Sequence, residues 1–428
     1  MRILLIAIQF PPDVNSTGNL MAQLAGSWIA RGHQVSVITS LPHYQDFRIE
    51  ARFRGKLFQR DKLPGIDILR LWVYAPGKKS MLNRLVNYLF FAVGAAVSGI
   101  LWRTSSDVIL CTNGSFFSGV AAWLIGAVKR IPFIYNVQDL YPEVPVAAGQ
   151  LRHPWAIEIL RRIESLMYRK AARVTVIAAA MRDNLLGKRV PAAHIELIPN
   201  FVNGDFICPQ PRSNDFSRAH GLENKFVVMH AGNLGYVYDV ESLLEAAKLL
   251  ENELEMAFVI VGDGVAKPGL EQRARSLGLS NVIFLPFQPH DQLPWLRASA
   301  DVQVSLYKLG AARHSMPSKI YEIMASGRPL LASAEPDSAV RRLVDESACG
   351  LCVEPENPRQ LAGAILTLYQ DAALRQHLGA NGRRHAVETY SQDRVALMYE
   401  QLMQSLCSPI PSGAQRLEEL SVEQPRGS

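Results

Sequence analysis

The densest group of chemically useful residues is the run His314-Ser315-Met316-Pro317-Ser318-Lys319-Ile320-Tyr321-Glu322-Ile323-Met324-Ala325-Ser326-Gly327-Arg328-Pro329. Pro317 suits the first turn of a helix, and Gly327 followed by Pro329 suits its end. The free N–H groups and positive dipole end of such a helix, with Lys319 added, suit a phosphate. Glu322, one turn inside, is placed to accept hydrogen bonds from sugar hydroxyls. An ordinary capped helix with a surface Lys and Glu would show the same letters. Three glycine-bearing turns accompany it: Asn15-Ser16-Thr17-Gly18-Asn19, Gly232-Asn233-Leu234-Gly235 and Gly262-Asp263-Gly264. Glycine at such a turn lets a phosphate approach main-chain N–H groups. Together these residues point to a phosphate-bearing ligand in a cleft between two domains.

The turns need strands before them. Short β-branched runs occur at Ile3–Ile8, Val35–Thr39, Ile68–Val73, Val108–Thr112, Phe133–Val137 and Val174–Ala178, each followed by a longer helical stretch. A second set occupies Phe226–Ala231, Ala257–Val261, Val282–Leu285, Val302–Leu306 and Pro329–Ser333. Near-continuous apolar strands alternating with helices imply parallel sheets covered on both faces. Two sets predict two doubly wound α/β domains, at 1–200 and 201–385, whose glycine turns lie at strand carboxyl ends. The junction is Leu197-Ile198-Pro199-Asn200-Phe201-Val202-Asn203, a strand ending in a Pro/Asn turn. A helix over 386–408 is expected to pack back on the first domain, with 409–428 a disordered tail.

Composition narrows the classes. The 428 residues are 48% hydrophobic and 20% charged, as in folded globular domains, and five cysteines cannot form a disulfide framework. Residues 1–200 hold 24 Lys+Arg against 12 Asp+Glu, a balance of +12, while the remainder holds 21 against 27, or −6, summing to +6. The first half therefore favours anionic surfaces or ligands. No nucleic-acid-binding motif accompanies the charge, so no nucleic acid is expected. Cys349-Gly350-Leu351-Cys352 has redox spacing, but no second pair exists for zinc, and the ten histidines show no ligand spacing. No metal and no cofactor are predicted. The apolar start, Ile3 to Ile8, is too short for a signal peptide and reads as a buried strand.

Leu85 to Trp102 is eighteen uncharged residues between Arg84 and Arg103. As a helix it spans about 27 Å, close to a membrane thickness. Three readings stand: a span, a buried crossover helix, and a helix lying in a membrane interface, the last favoured by its basic neighbours. Residues 48–62 carry Arg48, Arg52, Arg54, Lys56, Arg60 and Lys62 against two acids, which suits an anionic leaflet.

The order of these motifs resembles a known family. Arg31-Gly32-His33-Gln34-Val35, Ile198-Pro199-Asn200, Gly232-Asn233-Leu234-Gly235, Val261-Gly262-Asp263-Gly264, Pro317-Ser318-Lys319 through Gly327-Arg328-Pro329, and Thr389-Tyr390-Ser391 follow the pattern of retaining glycosyltransferases of the GT-B fold, family 4 ("group 1"). The likeness covers about residues 1 to 405, and extends to bacterial surface-polysaccharide transferases of the colanic acid and L-fucosamine kind. It implies a UDP- or GDP-sugar donor held by the second domain and a polyprenyl-diphosphate-linked saccharide acceptor met by the first, at the cytoplasmic face of the cell membrane. It implies ribose hydroxyls on Glu322, diphosphate at Pro317, Ser318 and Lys319, Gly18 approaching from the other domain, and donor contacts at Gly232, Asn233 and Asp263. Asp139, in Gln138-Asp139 where many members have His-Asp, is implied as catalytic, together with His314 and Glu322. His314 stands where the first of two family carboxylates falls, and Asn233 and Tyr238 where an Arg and a Lys are usual. UDP-sugar 2-epimerases of the same architecture, and a non-catalytic member of a polysaccharide assembly complex, are the alternatives.

Overall fold

Aliphatic and β-branched runs with almost no polar residue become strands buried on both faces, and here they build two sheets. The computed structural model describes residues 1–407 except 14, 79, 103–104, 148–150 and 312–315. His314 and the expected tail at 409–428 lie outside the described residues.

The first sheet contains β1 (Arg2–Ile6), β2 (Gln34–Ser40), β3 (Phe58–Leu63), β4 (Ile66–Leu71), β5 (Val108–Thr112), β6 (Phe133–Val137), β7 (Arg173–Val176) and β8 (Ile195–Leu197), in the order β3-β4-β2-β1-β5-β6-β7-β8. The second contains β9 (Phe226–Ala231), β10 (Met256–Val261), β11 (Val282–Leu285), β12 (Val302–Leu306), β13 (Leu330–Ser333) and β14 (Gly350–Val353), in the order β11-β10-β9-β12-β13-β14. Pairing is parallel throughout except at β3, which runs antiparallel to β4 with Gln59 opposite Arg70. Sequence reading missed β3 because Phe58-Gln59-Arg60-Asp61-Lys62-Leu63 is an edge strand whose charges face water. Cys352 belongs to β14, and its thiol is pushed up to about 12 by burial, which leaves it unreactive.

Two chain crossings join the domains side by side. Val202 donates to the Tyr390 carbonyl at 2.9 Å, and Gln392 donates back to the Val202 carbonyl at 3.2 Å. The helix Gln392–Cys407 then returns to the first domain, where Val395, Ala396, Tyr399 and Met403 pack with Leu24, Trp28 and Val37. Trp28 donates its indole N–H to the Ala396 carbonyl at 3.1 Å, and Asn136 donates to the Tyr399 hydroxyl at 2.8 Å. The crossing begins later than the expected 386. Residues Ala372–Thr389 form one helix seated on the second domain, where a Cβ on Gly379 would strike the Gly327 carbonyl oxygen at 2.2 Å.

The apolar run becomes the helix Met81–Leu101, long and apolar enough to cross a membrane. It links β4 to β5, and a through-span would place these two strands of one sheet on opposite sides of a bilayer. Its inner face buries Asn87, Phe91, Ala92, Ala95, Ala96 and Gly99. Its outer face exposes Leu82, Leu89, Phe90, Val93, Val97 and Leu101, and Val128 of the neighbouring helix Ser118–Lys129 is exposed as well. The crossover reading thus describes the buried side of this helix, whose other side is an exposed apolar face.

Candidate active site between the two domains

In the second domain, β9 and β10 end in turns that lock together. A Cβ on Gly262 would lie 1.9 Å from the Gly232 carbonyl oxygen, so only glycine lets the turns approach this closely. Gly232 donates to the Val261 carbonyl at 2.9 Å, and Leu234 donates to the Asp263 carbonyl at 2.9 Å. Asp263 is exposed and its carboxylate accepts from the Gly264 N–H at 2.7 Å, closing its own turn. Asn233 is also exposed.

The helix Lys319–Ala325 starts beside these turns. Ile320 and Tyr321 already donate to the carbonyls of Pro317 and Ser318, at 3.2 and 3.1 Å. The Lys319 side chain folds inward. Its Nζ lies 4.1 Å from the centroid of Tyr238 and 5.9 Å from that of Tyr307, with no hydrogen-bond acceptor among the described residues. A Cβ on Gly232 would lie 3.8 Å from that Nζ. Burial, then repulsion from Arg297, brings the ammonium down to about 7, with Glu322 opposing. Tyr238, where the resemblance expects a cation, therefore offers the face of its ring to a cation from another element.

Glu322 is held rather than free. Arg297, buried in the helix Leu293–Ala298, donates to Glu322 Oε2 at 2.6 Å and to Gln303 Oε1 at 2.7 Å. His230, one residue from the end of β9, is kept neutral by burial and then by the charges of Lys319 and Arg297. Sequence reading missed both Arg297 and His230. The available signal was a lone polar residue inside an otherwise apolar run.

From the first domain, Asp139 follows β6 and is reachable by solvent, yet protein surrounds it and desolvation raises its carboxyl. Its charge in turn raises the Tyr238 phenol across the cleft, after burial of that ring. Gln138 exchanges two side-chain hydrogen bonds with Asn200, at 3.2 and 2.9 Å, so it ties the end of β6 to the domain junction. Gly18 sits in the first turn of the helix Ser16–Ala30. A Cβ there would lie 2.8 Å from the Gln9 carbonyl oxygen, and its N–H is taken by the Asn15 side chain at 3.0 Å. The contact across the cleft comes instead from Ser16, whose hydroxyl lies 3.1 Å from that of Ser318. Lys319, Glu322, Ser318 and Asp139 thus share one cleft, while Gly18 shapes the turn beneath it. Among the described residues no group of three or more His, Cys, Asp or Glu is placed to hold a metal ion.

Two family models match this chain: the "Glycosyl transferase 4-like domain" over residues 17–200 and "Glycosyl transferases group 1" over residues 213–385. The chain belongs to the group 1 glycosyltransferases. This glycosyltransferase is 25% identical over 403 residues to the putative colanic acid biosynthesis glycosyl transferase WcaI of Escherichia coli (strain K12), covering 92% of this chain and 98% of the relative. It is 27% identical over 290 residues to the probable glycosyltransferase WbjE of Pseudomonas aeruginosa, covering 67% and 72%. Among solved structures it resembles sucrose-phosphate synthase from Thermosynechococcus elongatus, with a TM-score of 0.76, 20% identity and coverage of 95% and 98%. It also resembles HepE of Anabaena in complex with UDP, with a TM-score of 0.73, 17% identity and coverage of 95% and 100%. The architecture of the glycosyltransferase is GT-B, two parallel-sheet α/β domains facing a cleft.

Proposed function

We propose that this glycosyltransferase moves a sugar from a UDP- or GDP-sugar to a polyprenyl-diphosphate-linked saccharide, with retention at the anomeric carbon, in the assembly of a bacterial surface polysaccharide. The observation that carries the reading is Lys319: a buried ammonium without a hydrogen-bond acceptor, beside the main chain of Gly232 and the start of a helix. A buried cation of this kind is costly until an anion joins it, and a donor diphosphate supplies that anion. The amides of Ser318 and Lys319 would complete its oxygens' hydrogen bonds. Glu322, oriented by Arg297, would accept from the ribose.

In the transfer, the bond from the sugar's anomeric carbon to the diphosphate oxygen breaks, and a bond to the acceptor hydroxyl oxygen forms on the same face. The acceptor's proton passes to the departing phosphate. Lys319 and the amides stabilise the charge that develops there. Asp139, facing Tyr238 from the acceptor side, holds a sugar hydroxyl at the cleft. The name of the Escherichia coli relative supports the polysaccharide setting, and the exposed face of Met81–Leu101 supports a site on the inner membrane surface.

The test is thermal stabilisation by UDP, GDP, dTDP, CMP and ADP, followed by sugar transfer with the winning nucleotide. A ligand at 100 times its Kd adds about 2.7 kcal/mol. Stabilisation by none of the five would remove the donor reading.

A further inference from the structure

A second cavity, of about 600 Å³, lies in the first domain, well within the size of small-ligand sites. It opens between the turn after β1, at Pro11 and Pro12, and the ribbon of β3 and β4. Four cations line it, Arg52, Lys56, Lys62 and Arg70, against one acid, Asp61. Arg70 is its buried member, 3% exposed. Its Nε donates to Asp61 at 2.5 Å and its Nη2 to the Pro11 carbonyl at 2.6 Å, while Nη1 has no acceptor among the described residues. At the rim, Arg52 pairs with Glu50 at 3.0 Å and Lys62 with Asp67 at 3.6 Å, both in exposed positions where such pairs are weak. Lys56 has a neutral partner, Gln59.

An apolar track leaves the same place. Leu57 and Phe58 are exposed at the start of the ribbon. The Leu57 carbonyl accepts from the Trp72 N–H at 2.8 Å, and the Trp72 ring meets Phe90 of the helix Met81–Leu101 at 5.3 Å between centroids. Phe90 belongs to that helix's exposed apolar face. An open basic cavity thus lies beside an oily surface.

We propose that this cavity binds the diphosphate of a prenyl-diphosphate-linked acceptor, with Arg70 at its base and Arg52, Lys56 and Lys62 as its rim, while the prenyl chain runs over Leu57, Trp72 and Phe90. The proposal rests on the acceptor reading above and gives that substrate a place distinct from the donor site. The unpartnered Nη1 of Arg70 and the three cations of the rim match a phosphate in charge.

The test uses the full chain saturated with UDP, so that the donor site is closed, with UDP binding recorded first by thermal shift. Citronellyl diphosphate, inorganic pyrophosphate, citronellol and phosphatidylglycerol vesicles are then titrated separately. Citronellyl diphosphate is expected to bind at least about tenfold more tightly than either pyrophosphate or citronellol, because it alone engages both features. Arg70→Gln, and separately the exposed pair Arg52→Ser with Lys56→Ser, should each weaken it about tenfold and leave the UDP shift unchanged. The surface pair keeps the test valid if Arg70→Gln fails to fold. Unchanged affinity in the surface pair would overturn the proposal. So would vesicle binding that falls in these variants while the diphosphates do not bind, which would make the cavity a headgroup site. A chain that bound citronellyl diphosphate but no UDP would sink the donor reading and leave this one standing.

Discussion

The Lys319 ammonium rests 4.1 Å above the ring of Tyr238, and no described oxygen accepts a hydrogen bond from it. Its proton is held loosely for a lysine, at about 7, because burial and then Arg297 disfavour the charged form. An anion beside it restores the ordinary preference for charge, so nucleotide binding draws in a proton above pH 7. UDP affinity should therefore fall as pH rises from 7 to 9, approaching tenfold per unit. The nucleotide's own second ionisation, at about 6, is complete across that range. Lys319→Met should weaken UDP at pH 7 and flatten the profile. Isothermal titration at several pH values checks both, and an equally steep profile in the variant would remove Lys319 from the diphosphate site.

The same lysine should lower stability in the empty protein. Its folded value of about 7 lies below the ordinary 10.5, so the cost is full below pH 7 and fades as pH rises through 7 towards 10.5. Lys319→Met is expected to stabilise the nucleotide-free chain by about 1–3 kcal/mol at pH 6 and by less at pH 9. Thermal melts at the two pH values measure the difference.

Arg297 and Glu322 divide stability from binding. Arg297→Met leaves Glu322 and the buried Gln303 without their partner and should cost about 2–4 kcal/mol. Glu322→Gln can still accept from Arg297, so it should cost about 1 kcal/mol or less while weakening UDP about tenfold. Denaturant melts and nucleotide titrations of the pair check this. Wild-type affinity in Glu322→Gln would place the ribose elsewhere.

Gly18→Ala pushes a methyl group against the Gln9 carbonyl, which is main chain and has little room to yield. A loss of about 1–3 kcal/mol is expected from the overpacking, visible in thermal melts. A loss of UDP affinity larger than the loss of stability would mean that the turn also touches the donor.

The exposed apolar face gives a test of membrane association. Val93 and Val97 are each more than half exposed, at 57% and 52%, so Val93→Glu with Val97→Glu should leave the fold intact. Sedimentation with phosphatidylglycerol vesicles should drop at least about tenfold, since two apolar contacts become charges in the interface. Undiminished sedimentation would assign membrane contact to another surface.

The parallel strands were legible because burial on both faces leaves an uninterrupted apolar signature, as in Val108–Thr112 and Phe226–Ala231. The ribbon strand Phe58–Leu63 was not, since an edge strand facing water reads as a charged loop. Lys319 and Glu322 stood out through local helix signals. Their surroundings did not, because Arg297, His230 and Tyr238 arrive from other elements, and only tertiary packing brings them together. Gly18 was recognised as a turn glycine, but the close approach to Gln9 that requires it is invisible without the fold. The double character of Met81–Leu101 was likewise hidden, because an apolar residue looks the same whichever side of a helix it occupies.

Val395, Ala396, Tyr399 and Met403 belong to the first domain's core although they are among the last residues of the described chain. During synthesis the second domain has all six of its strands before the first domain receives its closing helix. The half made first is therefore finished last. Until Gln392–Cys407 clears the ribosome, Trp28 lacks the Ala396 carbonyl, Asn136 lacks the Tyr399 hydroxyl, and Leu24, Trp28 and Val37 lack the apolar side chains that pack with them. Stop codons a few turns short of Cys407 would damage the first domain, nearly four hundred residues upstream in order of translation, before they touched the second.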